Sequence, residues 1–332
     1  RNFRVGGSMM RSVTRGYARN GNLVRRLTTD GGGGTLSDER FTYDAYSRLI
    51  SYSCSGSQHP CDNLGRALAA QSYVYDAFDN LTQCVSTFTS GQSDVCTRMF
   101  GAANPTRLTA ISTSNPSSYR VPTYDAGGNL IDDQAGRSFT YDGLDRLTAC
   151  STTGGYGYDA EGRLVVQTAA AATPLRLHYA DGSGLIAETQ GDAAIRYRRD
   201  GAQTQGRSRR PSGGAATSEA DLLDAAGSVI GVLGASGAPS NLLYTPYGQS
   251  GPAGVGPGTP LIDQGRIGFN GERLDAMAGL YHLGNGRRPY SPDLMMFLTP
   301  DPMAVFGGAG YNAYGYCRGD PVNLSDPSGL LS

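Results

Sequence analysis

A heptapeptide that returns along the chain constrains the fold more than any other feature. YDAYSRL begins at Tyr43, YDAFDNL at Tyr75, YDAGGNL at Tyr124, YDGLDRL at Tyr141 and YDAEGRL at Tyr158. YARNGNL from Tyr17 and YADGSGL from Tyr179 are weaker copies, and DAAGSVIGVL from Asp224 and YTPYGQ from Tyr244 are worn ones. In each clear copy Tyr precedes and Leu follows a cluster of Asp, Gly, Asn and Arg. Asp offers a side-chain acceptor to turn amides, and Gly or Asn tolerates positive φ. Short alternating stretches such as RSFTYD and RLVVQT flank the cluster. The unit therefore reads as strand, tight turn, strand, with Tyr and Leu as a cross-strand pair. One hairpin cannot bury its face alone, whereas stacked hairpins bury a continuous core. The expectation is an all-β protein, a β-solenoid or a wound β-sheet. No segment before residue 262 carries a sustained helical period.

Composition narrows the chemistry. With 48 Gly and 17 Pro in 332 residues, punctuation between short strands is abundant. All 28 basic residues are Arg. Without Lys there is no phosphate-loop Lys and no Schiff base to a carbonyl or pyridoxal cofactor. His59, His178 and His282 are the only histidines, and the cysteines Cys54, Cys61, Cys84, Cys96, Cys150 and Cys317 form no Cys-x-x-Cys pair. No metal site and no cofactor are expected. The net charge of −1 argues against a broad nucleic-acid footprint. No apolar run is long enough to span a membrane. Cys54 with Cys61, and Cys84 with Cys96, could close loops in an oxidising compartment; six reduced thiols are the plainer reading. The chain opens at Arg1 with no signal segment. It reads as a piece of a longer polypeptide whose targeting segment lies elsewhere.

Three parts follow. Residues 1–247 carry the repeats. Within them, 199–218 is rich in Gly, Ser and Arg and reads as an exposed loop. Arg207, Arg209 and Arg210 there read as solvated, with contact to an anion or partner as the alternative. Residues 248–262 read as a Gly/Pro linker, and 263–332 as a distinct C-terminal block. That block contains GLYHLGNGRRPYSP, FLTPDP and GGAGYNAYGYCRGDPVNLSDPSGL, in that order.

The repeats and the block together resemble the Rhs/YD-repeat family, and the block resembles that family's repeat-associated core domain. The family pattern runs Arg-x-Tyr-x-Pro, Phe-Leu-x-x-Asp-Pro, Asn-x-Tyr-x-Tyr, Asp-Pro-x-Gly-Leu, and all four pieces occur here. The resemblance implies a β-sheet wound into a cocoon-like shell with the core domain at one end. In polymorphic toxins and insecticidal toxin complexes, such a shell encloses a variable C-terminal toxin. The core domain resembles an aspartyl autoprotease that cuts after the last motif.

Carried onto this chain, the resemblance implies Asp301 and Asp326 as catalytic carboxylates, Arg288 as their companion, and Leu330–Leu331 as the scissile bond. It further implies, as partners, the enclosed toxin, an N-terminal shell or secretion component, and an immunity protein acting through the toxin. Delivery would be by a bacterial secretion system, of type VI or toxin-complex kind. Two departures stand out. Met295, Met296 and Phe297 occupy the place of a usual Gly-Arg-Phe, and Asp320 stands where Asn is usual.

The residue types suit the reaction. Two close carboxylates sharing a proton can act as base and acid in peptide hydrolysis. An Arg beside them can orient a carboxylate or stabilise the oxyanion. A tethered substrate makes a single turnover sufficient. The alternatives are structural: Asp before Pro commonly starts a turn, and a buried Arg can cap carbonyls. Without proteolysis the chain would be a YD-repeat scaffold or an adhesion or carbohydrate-binding shell. A propeller would need a longer repeat period.

Overall fold

A computed structural model describes all residues except 6–7, 171, 181–183, 236, 238, 253–259, 304–311 and 331–332. Its wall consists of antiparallel strands taken in chain order. A ten-stranded sheet runs from Asn2–Val5 to Ser117–Arg120, and an eleven-stranded sheet from Phe139–Tyr141 to Pro239–Asn241. A two-stranded ribbon, Thr123–Tyr124 with Leu130–Asp132, lies between them and reaches the second sheet through an Asp132–Ser138 bridge.

The repeat explains this regularity. Tyr and Leu of each clear copy are cross-strand partners: Tyr43 with Leu49, Tyr75 with Leu81, Tyr124 with Leu130, Tyr141 with Leu147, and Tyr158 with Leu164. Between them Asp142 is typical. Its Oδ1 accepts the amides of Leu144 and Arg146, and its Oδ2 accepts the Arg146 guanidinium at 2.8 Å. Copies also bond sideways. The hydroxyls of Tyr43, Tyr75, Tyr141, Tyr158 and Tyr179 each donate to the carbonyl of the Leu in the preceding hairpin, at 2.7–3.0 Å. Arg48, Arg146 and Arg163 each lie over the Tyr ring of the following copy. The worn copy at Tyr244 keeps its link, donating to Val229. The Leu residues are buried, while the Tyr rings of the clear copies are half-buried with their hydroxyls at the turn rim.

Residues 199–218 do not form a loop. Ala193–Asp200, Gln203–Arg210 and Thr217–Leu223 are consecutive strands, and only the turn 201–202 and residues 211–216 leave the sheet. The polar side chains conceal an alternation in which Thr204 and Gly206 face inward. Arg207 pairs with Glu219 on the next strand at 2.6 Å, and Arg209 pairs with Asp263. The first pair crosses neighbouring strands, and the second ties the strand to the short helix Leu261–Gln264. Of the expected linker, 253–259 lies outside the described residues. Its described ends are packed: Gly251 donates to the Cys61 carbonyl, and Leu261 and Ile262 are buried in a short helix, Leu261–Gln264.

The C-terminal block forms a five-stranded antiparallel sheet: Gly265–Ile267, Arg273–Asp275, Leu280–His282, Arg288–Ser291 and Met296–Phe297. Its aromatic residues pack against the wall. Tyr290 stacks on Tyr316 at 4.1 Å between centroids and meets Phe297 edge-on, and all three share a core with Phe41, Tyr52 and Tyr73 of the wall. The tail then laces along the turn rim. Asn312 donates to Asn80, the Tyr314 hydroxyl to the Gly128 carbonyl, and Asn323 accepts the Leu23 amide. Gly128 is required twice over. Its φ is +91°, and a Cβ would stand 2.8 Å from the Tyr314 hydroxyl.

Candidate functional site: an arginine between two aspartates

Three local devices deliver the site. The chain reverses through Gly284 and Asn285, both at positive φ, and starts the strand Arg288–Ser291. Asp301 follows the last strand and is held by its own amide, which donates to the Ala313 carbonyl. Asp326 opens a turn of the repeat's own kind: its Oδ1 accepts the Leu330 amide at 3.1 Å, four residues on, and the Ser328 hydroxyl at 2.9 Å. The Oδ1 of Asp301 likewise accepts the Met303 amide at 2.8 Å. Both Oδ2 atoms turn to Arg288, whose Nη2 stands 3.3 Å from Asp301 and 3.6 Å from Asp326.

The cluster is dry. Arg288 is 2% exposed, as are Asp301 and Asp326. Arg288 also donates to the carbonyls of Gly329 and Ala313, and its guanidinium lies 3.6 Å from the centroid of the Phe297 ring. Burial pushes the guanidinium down to about 10, against the pull of Asp301 and Asp326. Thus the three residues expected from the sequence meet around one nitrogen. Leu330 is half-buried with its amide fixed by Asp326, and Leu331 lies outside the described residues.

Comparisons with known proteins support the architecture. No family model matches the chain. A tRNA3(Ser)-specific nuclease WapA of Bacillus spizizenii is 27% identical over 268 residues, covering 77% of this chain and 11% of its own length. A tRNA nuclease WapA of Bacillus subtilis is 26% identical over the same span. Among solved structures, a TcdB2-TccC3-TEV crystal structure superposes with a TM-score of 0.63 at 19% identity, covering 97% of this chain and 19% of that one. TcdB2-TccC3 without its hypervariable C-terminal region gives 0.60 at 18%, covering 98% of this chain and 19% of that one. The chain has the all-β shell fold of these structures. It spans about a tenth of the curated relatives' length and about a fifth of the solved chains.

The two departures from the pattern noted in the sequence have physical consequences. Met295, where the family favours Gly, sits at φ +54°, a left-handed conformation that disfavours a Cβ. Asp320 does not join the Arg288 contacts; both its oxygens accept the Asn323 amide, and burial raises its pKa. Sequence reasoning missed Glu272. It lines a cavity of about 690 Å³ together with Asn285, Ser325 and Pro327, the last two flanking Asp326. Burial, and then the charge of Asp326, push Glu272 up to about 8. No spacing marks Glu272 in the sequence, because its neighbours come from distant turns.

Also missed were two buried polar links between block and wall. Arg273 donates to Glu188 at 2.9 Å, and Glu188 accepts the Tyr197 hydroxyl at 2.6 Å. Asp275 accepts Tyr156 and Gln167, with His282 3.8 Å away at the end of its strand. The inward Glu and Gln of otherwise alternating strands were their only signal. Among the described residues no group of His, Cys, Asp and Glu could hold a metal ion.

Proposed function

We propose that this chain is the C-terminal shell segment of an Rhs-type polymorphic toxin, which encloses a C-terminal toxin and releases it by aspartyl self-cleavage after Leu330. The observation that carries this reading is the buried meeting of Arg288, Asp301 and Asp326, with Asp326 holding the Leu330 amide. One carboxylate, ionised, takes a proton from water as it attacks the Leu330 carbonyl carbon. The other, protonated, donates to the Leu331 nitrogen as the peptide bond breaks. Arg288 holds both carboxylates in register and offsets charge as the oxyanion forms. The buried surroundings strengthen each of these interactions. Delivery by a bacterial secretion system of type VI or toxin-complex kind, an N-terminal shell partner and an immunity protein acting on the toxin belong to the same reading.

A second reading has its own observation. Asp326 makes the turn that structural Asp residues make throughout the wall, and Arg288 donates to two carbonyls. On those grounds the cluster would only lock the tail of a non-proteolytic scaffold. Intact mass of the protein carrying a folded reporter domain after Ser332 separates the two. Self-cleavage predicts a parent split after Leu330 and whole Asp301→Asn and Asp326→Asn variants. A parent that stays whole, or an Asp301→Asn variant that still splits, removes the protease reading.

A further inference from the structure

Two strands of the wall bring a pair of cysteines together. In Leu81–Phe88 and Ser93–Phe100, Cys84 and Cys96 are direct cross-strand partners. Directly opposed residues of an antiparallel pair stand about 4.5–5.5 Å apart at Cα and point to the same face. A disulfide accepts Cα separations of about 4.4–6.8 Å. The other spacing noticed in the sequence has no such geometry: Cys54 opposes Glu39 and Cys61 opposes Ala67. Cys84 is buried and Cys96 half-buried, and Cys96 touches two of the three cores.

A third residue sets the chemistry. Arg98, two positions beyond Cys96 and therefore on the same face, is 6% exposed, and its Nε has no hydrogen-bond partner. Among the described residues no carboxylate forms an ion pair with it. The groups whose negative charge most favours its guanidinium are Cys96 and then Cys84. Burial pushes the Cys84 thiol up to about 12, with Arg98 acting against that rise. The guanidinium reduces the cost that burial puts on the Cys84 thiolate, and the thiolate is the attacking species in disulfide exchange.

We infer that Cys84, Cys96 and Arg98 form a thiol-modification site that closes a Cys84–Cys96 cross-strand disulfide. The oxidant is a low-molecular-weight or protein disulfide. The Cys96 thiolate attacks one sulfur of it, forming a mixed disulfide and releasing one thiol. The Cys84 thiolate then attacks the Cys96 sulfur, forming the cross-strand bond and releasing the second thiol. The oxidant gains two electrons, and the protons of Cys84 and Cys96 end on the two released thiols. Half-buried Cys96 meets the oxidant first; buried Cys84 resolves, and its high thiol pKa makes that step the slow one.

The test is incubation of the folded protein with oxidised glutathione, followed by alkylation, intact mass and non-reducing peptide mapping. The expected result is loss of two hydrogens and a peptide joining Cys84 to Cys96. A Cys84→Ser variant should stop at a glutathione adduct on Cys96, and Arg98→Gln should slow closure roughly tenfold, as expected for loss of thiolate at one site. Separate alkylation of Cys84 and Cys96 after oxidation, with circular dichroism showing the sheet intact, would overturn the proposal. Closure at an unchanged rate in Arg98→Gln would remove Arg98 from it.

Discussion

Arg288 and Glu272 show opposite answers to burial at the scale of the residue. Arg288 stays charged beside two carboxylates although burial lowers its pKa, whereas the half-buried Glu272 carboxyl is raised from 4.5 to about 8, which favours its neutral form. A carboxyl whose folded pKa is raised binds its proton more tightly folded than unfolded. Its contribution is therefore complete below about pH 4.5 and is lost as pH rises through about 8. Thermal unfolding across that window should show a decline in the parent that is absent in Glu272→Gln. In Asp326→Asn the decline should move to lower pH, because the neighbouring charge that helps raise Glu272 is gone. Asp301, Asp326 and Arg288 were legible as residues, since each sits in a motif. Glu272 was not, because its environment is assembled from elements that the local sequence does not mention.

The repeated turn sets the rules at the scale of the element. The residue before the Arg or Asn takes positive φ in every clear copy: Gly128 and Gly162 in two, but Ser47, Asp79 and Asp145 in the others. An L-residue in that region costs about 1–2 kcal/mol relative to Gly. Ser47→Gly should therefore raise stability by roughly 0.5–1 kcal/mol, less than the full strain because Ser47 also accepts from Asn22. Gly162→Ala should lower it by about 1–2 kcal/mol, since only the Arg146 guanidinium comes within 4 Å of the new Cβ and strain alone decides. Tyr141→Phe, which removes the hydrogen bond to Leu130, should cost about 1 kcal/mol. Chemical denaturation of the three variants checks all of these. The strands beside these turns were readable from alternation and turn chemistry. Gln203–Arg210 was misread as a loop because Arg207 and Arg209 look solvated until Glu219 and Asp263 are placed opposite them.

For the whole molecule, block and wall are joined by charges that neither could bury alone. Glu188 is 0% exposed and comes from the wall, while Arg273 comes from the block. Replacing Glu188 with Ala leaves the guanidinium buried without its partner, an arrangement that costs about 3–5 kcal/mol. Loss of that size should appear in urea unfolding and in faster proteolysis of the block. Tyr156→Phe should cost less, about 1–3 kcal/mol, because Asp275 keeps its Gln167 donor. If block and wall unfold together, both variants shift one common transition; separate transitions would mean that the shared aromatic core around Tyr290 does not couple them.

The local chemistry of the chain determined its hairpins, their register and their order. Tyr-Asp-x-x-Gly-Arg-Leu holds within seven residues the acceptor, the positive-φ position and the apolar partner that a turn needs, and stacking follows because one hairpin cannot bury its own face. The motifs around Arg288, Asp301 and Asp326 marked those residues for the same reason: each is a turn or strand start with its own side-chain rule. Only the tertiary structure decided that they meet around one guanidinium nitrogen, that Glu272 lies beside Asp326, and that Glu188 answers Arg273. Those pairings depend on which distant strands and turns end up face to face, a long-range outcome of packing the block against the wall that no local spacing encodes.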